Sequence, residues 1–446
     1  MNDSDQAISG RNGVSIKRSA QRASGQAQGY RTYEVYQRER VGESTPLIKP
    51  GALISDDFRR DPYPLLGILR EHYPCYRNWQ TNSYWLTRYN DVTSVFTDDA
   101  NFESRAKTRD YHALAGARDL GQMLCVLTAE ETLIDQFAPM VAEKLAHDLA
   151  VAGSGDLVTD FTAPFALQLL ARLLDLPEAV ETPFFSAYWR ARLGCSWVPV
   201  RKTQGDQAVA ELIKLFAPLV EARRGQPGED LLSVLVNSRV PEGSQAVTVQ
   251  DLVMTLLERD HDTLHGSLAN LWQRLLTHPT ADAQARAERR LLKLAYLETV
   301  RHATPIVSVA RYTRHEVERF GKLLPAGALV VCSAAAANRD PRVFDEPDKF
   351  IVDRKDLCQR EPRGQYRADG LASGLTFGLG PPSRHPAVPE DRPRSKYALN
   401  RDTVVAVSQI LQQVIPDLRL QPNSQPRLTA LSVGDMHTCW RLPVLC

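Results

Sequence analysis

Apolar positions recur every three or four residues along most of this chain. The pattern runs through Val141 to Leu149, Phe161 to Leu176, Gln207 to Arg223, Leu231 to Asn237, Thr248 to Thr277, Ala281 to His302 and Arg401 to Ile415. Such spacing gathers the apolar side chains of a stretch on one helical face, so each is predicted to be an α-helix. Pro177, Pro227 and Pro241 punctuate the pattern, since proline cannot donate a helical hydrogen bond. Runs rich in β-branched and aromatic residues at Tyr84 to Thr87, Val307 to Thr313, Leu329 to Ser333 and near the C-terminus predict short strands. The expected class is mainly α with small β-sheets, an α+β fold.

Composition narrows the function classes. The chain has 446 residues, 43% hydrophobic and 24% charged, with a net charge of +1. These are globular values, without the basic excess that nucleic-acid binding requires. No run of about 18 apolar residues is present to span a membrane as a helix. Residues 1–45 are polar, lack the apolar segment of a signal peptide, and are expected to form a disordered arm. Residues 46–446 are expected to form one large domain. The seven cysteines are irregularly spaced and form no Cys-x-x-Cys pair. They predict buried thiols in a reducing compartment, so the expected location is cytoplasmic.

The densest motif series lies in the last third. Glu298 and Arg301 form a Glu-x-x-Arg pair, followed by Thr304-Pro305, Arg311, Pro325-Ala326-Gly327, Asn338-Arg339-Asp340-Pro341, Phe344, Pro347, Phe350 and Arg354. A Phe377-Gly378-Leu379-Gly380 loop closes the series. Earlier, Asp61-Pro62-Tyr63-Pro64 and Tyr84 to Val92 precede Asn101-Phe102. This order resembles the cytochrome P-450 family from about Leu47 to Cys446. The resemblance implies the P-450 fold and a buried structural network of Glu298, Arg301 and Arg354.

By the same resemblance, several haem-contacting positions have changed. The family loop Phe-Gly-x-Gly-x-His-x-Cys-x-Gly falls on residues 377–386, where Pro382 replaces the His, Arg384 the Cys and Pro386 the Gly. A guanidinium offers iron no lone pair, whereas the family's thiolate donates electron density to it. On the distal helix the family's Ala-Gly-x-Asp-Thr falls on Arg259, Asp260, His261, Asp262 and Thr263, which keeps only the last two residues. Arg259 and Asp260 are expected to intrude on the haem gap. Glu131 and Asp135 replace a His and an Arg that grip a haem propionate in the family, leaving Arg311 as the cation there. Carboxylates facing carboxylates repel.

These departures lead to the expectation of a haem-free homologue without cofactor or monooxygenase activity. It would act as an auxiliary or small-molecule-binding protein of specialised metabolism. Haemless family members that assist glycosyltransferases supply the model for a biosynthetic partner enzyme such as a glycosyltransferase. One alternative is a haem-independent enzyme for cyclisation or dehydration, with Asp260, His261, Asp262 and Thr263 as acid–base candidates in the vacated pocket. Another is a conventional haem-dependent monooxygenase with an unrecognised ligand, for which Cys358 and His385 are candidates. His261 and His265 share a helical face, but no third ligand is placed beside them, so no metal site is expected.

Overall fold

The computed structural model describes residues 45–49, 51–195, 199–238, 246–259, 261–359, 371–379, 393–431 and 436–446. Asp260, Pro382, Arg384, His385, Pro386 and all of the expected arm except Thr45 lie outside them. The chain divides into two units, Met1–Ala52 and Leu53–Cys446. The second unit carries the architecture.

It opens with α1 (Asp56–Arg60), capped by the Ser55 hydroxyl, and α2 (Tyr63–His72), whose second residue is a proline. The hairpin β1 (Cys75–Asn78) and β2 (Ser83–Leu86) leads to α3 (Tyr89–Phe96) and β3 (Phe102–Glu103). The long α4 (Leu124–Ala152) ends at Gly153, where φ is 68° and the glycine N–H bonds back to Leu149 O at 3.1 Å. A left-handed residue terminates a helix at no steric cost when it lacks a Cβ. The chain continues through β4 (Ser154–Asp156), α5 (Ala163–Leu173), α6 (Glu178–Gly194), α7 (Pro199–Gly225), α8 (Leu231–Val236), α9 (Val249–Glu258), α10 (Asp262–Thr277), α11 (Pro279–Ala287) and α12 (Arg289–His302).

The second β region holds β5 (Val309–Thr313), β6 (Val317–Arg319), β7 (Lys322–Leu324) and β8 (Leu329–Cys332), then the short α13 (Ala334–Ala337). After α14 (Lys396–Val414) come β9 (Arg419–Leu420), β10 (Arg427–Leu431), β11 (Met436–Arg441) and β12 (Pro443–Leu445). The main sheet has the order β1-β2-β8-β5-β3, with β2 and β8 parallel and the other pairs antiparallel. Smaller sheets pair β4-β12-β9, β10-β11 and β6-β7.

The core is built around α10, in which every residue from Asp262 to Gln273 is buried. Neighbouring helices and β11 cover all of its faces, so its polar side chains must find partners inside the protein.

Four periodic stretches differ from their expected form. Thr248 to Thr277 is not continuous: α9 stops at Glu258 and α10 starts at Asp262. Arg259, at the C-cap of α9, reaches away from the helix line to Gly121 O and Glu130. Ala281 to His302 is two helices, because Glu288 adopts extended backbone (φ −145°, ψ 133°). The Phe161 to Leu176 stretch begins as a π turn over Val158–Thr162 before α5. Val141 to Leu149 is only the second half of α4, whose first half carries Glu130, Glu131 and Asp135 and so shows no clean apolar stripe.

Candidate functional site

The start of α10 places His261, Asp262 and Thr263 deep in the core, 6%, 1% and 3% exposed. Asp262 meets Arg192 of α6, whose Nη2 lies 3.1 Å from the carboxylate and whose Nη1 donates to Leu257 O at 2.6 Å. The acid is therefore engaged by a buried guanidinium. Thr263 Oγ1 accepts from Asn400 Nδ2 of α14 at 3.5 Å, and Asn400 Oδ1 accepts from Tyr296 at 2.8 Å. A planar group inserted between α10 and α14 at this point would have to break that contact. His265 does not turn toward His261; its Nδ1 lies 3.0 Å from the Thr162 hydroxyl. Complete burial lowers its pKa to about 4.

Two of the altered sites carry charge that the protein itself pairs. Arg259 donates Nε to Glu130 at 3.1 Å and Nη1 to Gly121 O at 2.8 Å, and a further ion pair joins it to Glu130. Glu131 and Asp135 do not face only like charge. Arg394, just before α14, gives its backbone N–H and Nε to Glu131 at 2.7 Å each and Nη2 to Asp135 at 2.6 Å. The cation lost from α4 is replaced from the far end of the chain. The partners Arg192, Glu130 and Arg394 escaped the sequence reading because no local pattern ties them to the residues they neutralise.

Glu298, Arg301 and Arg354 come together behind this region. Arg301 donates Nε and Nη2 to Glu298 at 2.7 Å, and Arg354 Nε reaches the same carboxylate at 3.2 Å. The backbone of Ile351 adds a fourth N–H at 3.0 Å. The remaining guanidinium hydrogens go to the carbonyls of Asn338, Pro347, Asp345, Glu346 and Lys349 and to the Asp356 carboxylate. Such saturation is what lets charges persist in a dry core. The network also anchors the loop at 375–378. Asn338 Oδ1 accepts from Leu375 N at 2.8 Å, and the Thr376 hydroxyl meets Thr304 at 2.6 Å and bonds to Val300 O. Gly378 closes the turn at φ 74°, with its N–H 3.0 Å from Leu375 O.

Arg311 on β5 stands apart. Burial pushes its pKa down, and its Nη1 donates only to the neighbouring Ala310 O at 3.0 Å. The guanidinium lies over Phe96, 5.1 Å from the ring centroid, and no carboxylate among the described residues is within ion-pair distance. A half-buried cation without a carboxylate partner is suited to an anionic ligand. Among the described residues no cluster of three metal-ligating side chains occurs.

Residues 272–363 match the family model for cytochrome P450. The chain is 31% identical over 352 residues to cyclomarin C epoxidase CymV of Salinispora arenicola, covering 73% of this chain and 86% of that protein. It is 26% identical over 354 residues to pulcherriminic acid synthase of Bacillus subtilis, covering 75% and 85% respectively. Its fold matches that of P450BioI, solved in complex with an acyl carrier protein ligated to hexadec-9Z-enoic acid, with a TM-score of 0.70. That alignment, at 20% identity, covers 88% of this chain and all of the other.

These relatives overturn the expectation of a chain without a cofactor, because cytochromes are haem proteins and haem is the group this ancestry carries. The residues present fit it in part. Arg311 suits a porphyrin carboxylate, and the Thr376–Gly378 turn retains its anchoring. Arg384, which the resemblance aligns with the thiolate ligand, lies outside the described residues, and no chemical step is routed through iron.

Proposed function

This chain belongs to the cytochrome P450 family, and on that premise we propose that it is a haem-dependent oxidative enzyme of specialised metabolism whose axial ligand is not residue 384. The supporting observation is Arg311, a half-buried guanidinium with no protein carboxylate within ion-pair distance among the described residues. Haem, when bound, supplies the redox chemistry, and the protein's part is to hold and orient it. Arg311 would neutralise one porphyrin carboxylate. Asn338, Thr304 and Thr376 fix the approach of the Phe377–Gly378 turn, which packs edge-on against Tyr397 of α14 through Phe377. Cys358 and His385 are the candidate ligands. Cys358 is 3% exposed, with its N–H bonded to Ala372 O at 2.7 Å. The substrate class is a natural-product scaffold, by likeness to an epoxidase and a synthase of such compounds.

The deciding measurement is the visible spectrum and iron content of protein expressed with ample haem. Stoichiometric iron with a Soret band supports the proposal, and colourless iron-free protein sinks it. A thiolate-type carbon-monoxide spectrum lost in Cys358→Ser assigns sulfur as the ligand, while an imidazole-type spectrum lost in His385→Ala assigns histidine.

A second reading, partner binding to a biosynthetic enzyme such as a glycosyltransferase, draws on the ion pairs of Arg394 with Glu131 and Asp135. By resemblance to the family, the segment from Pro386 to Lys396, which includes Arg394, belongs to the face that receives redox partners. Co-purification of a single pathway enzyme that is released by Arg394→Glu would support it.

A further inference from the structure

Between β3 and α4 the chain makes only short 3-10 turns, at Lys107–Asp110 and His112–Leu114. Residues 107–121 lie as a strap against α6, α7 and α9. Within the strap only Thr108, Tyr111, Leu114, Leu120 and Gly121 are buried.

Both ends of the strap are held on α9 by carboxylates. At one end the Thr108 N–H and hydroxyl each donate to Glu258 at 2.8 Å. At the other, Arg118 gives its backbone N–H and Nη2 to Asp251 at 2.6 Å each, and the Leu120 N–H reaches the Thr255 hydroxyl at 2.9 Å. Hydrogen bonds to a charged group are roughly twice as strong as neutral ones. The middle is held more weakly. From 110 to 117, its polar ties to the rest of the protein among the described residues are the Tyr111 hydroxyl, which donates to Ala191 O, and a solvent-exposed pair of Asp110 with Lys202 at 3.9 Å. The exposed pair is screened and contributes little.

Tyr111 is therefore the main anchor of the middle, and it is held by fit. It is 2% exposed, and its hydroxyl enters the point where α6 and α7 cross at Gly194 and Gly205. A Cβ on Gly205 would stand 2.5 Å from that oxygen and 2.7 Å from Gly194 Cα, and a Cβ on Gly194 would stand 2.6 Å from the same oxygen. Only two glycines leave room for the hydroxyl. The half-buried Cys195 thiol at the C-cap of α6 lies beside it. The same turn of α6 carries Arg192, the partner of Asp262.

We propose that residues 107–121 are a strap latched by Tyr111, which opens at its middle when the ring leaves the Gly194–Gly205 notch while both ends stay on α9. A segment opens first where its burial and its hydrogen bonds to the rest are fewest. Opening uncovers the last turn of α6, with Cys195 and the approach to the Arg192–Asp262 pair. The device is independent of haem.

The test is alkylation of the full chain with iodoacetamide, quantified cysteine by cysteine by mass spectrometry, alongside hydrogen–deuterium exchange of the same samples. In the parent protein Cys195 should react more slowly than the exposed Cys125. Tyr111→Ala should speed Cys195 by about tenfold or more and raise exchange over residues 107–117, while the buried Cys332 and Cys439 stay slow. Tyr111→Phe removes only the hydroxyl, should act in the same direction by a smaller factor, and serves if Tyr111→Ala does not fold. Cys195 as reactive as Cys125 in the parent, unchanged Cys195 reactivity in the variant that folds, or equal acceleration of Cys195, Cys332 and Cys439 would each overturn the latch.

Discussion

Arg192 and Asp262 form an ion pair closed off from solvent, with the guanidinium 3.1 Å from the carboxylate and side-chain exposures of 2% and 0%. The acid that the family keeps on its distal helix is thereby tied to α6. Removing one partner strands the other charge in a dry interior. Arg192→Met should cost about 3–5 kcal/mol in urea unfolding. Arg192→Met combined with Asp262→Leu should recover most of that loss. A single variant as stable as the parent would show that the pair is not closed in solution.

Glu298 holds two arginines and a backbone N–H at once. Glu298→Gln keeps the shape but removes the charge that compensates Arg301 and one of the two carboxylates that meet Arg354. The expected loss is about 3–5 kcal/mol, enough to deplete the folded protein on expression. Circular dichroism during denaturant titration checks it.

Arg311→Leu should leave unfolding unchanged or slightly improved, because the guanidinium lacks a protein carboxylate partner among the described residues. Its haem retention should fall about 10- to 100-fold, the worth of one charge-assisted contact. The ratio of Soret to protein absorbance after gel filtration measures this. Equal retention in both proteins removes Arg311 from the site.

Acid should destabilise the fold through its buried histidines. His265 has an ordinary pKa of 6.5 but titrates at about 4 in the folded protein. Between those values the unfolded chain binds a proton that the folded chain refuses, so stability falls as pH drops through the window. His265 contributes at most about 1.4 kcal/mol for each pH unit. Its share is fully present above 6.5. His302 and His437 are shifted the same way. Unfolding free energies measured from pH 7.5 to 4.5 should show the slope, and His265→Asn should reduce it.

The charge cluster around Arg394 is partly exposed, 26% for the arginine and 60% for Asp135. Solvent screening keeps its worth to about 1 kcal/mol or less. Arg394→Ala should therefore lower thermal stability slightly at low salt and not at all near 1 M salt. A loss that persists in high salt would mean the residue acts through packing.

The sequence by itself determined the α-rich class, strands read at Tyr84 to Thr87, Val307 to Thr313 and Leu329 to Ser333 that the structure places within two residues, and the likeness that identifies the family. These are local properties: periodicity, β-branched runs and turn residues act over a few positions, and ordered motifs survive divergence. The periodic readings failed where a long-range partner intervened, as at Arg259, which departs from the line of its helix toward Glu130. Tertiary structure alone decided which charges meet. Arg192 finds Asp262 across 70 residues and Arg394 finds Glu131 across 263. It also left Arg274 Nε buried without a hydrogen-bond partner. Coulombic and hydrogen-bond pairing depend on distance in space, and a residue's type and neighbours in the chain do not specify which distant groups the fold brings within reach.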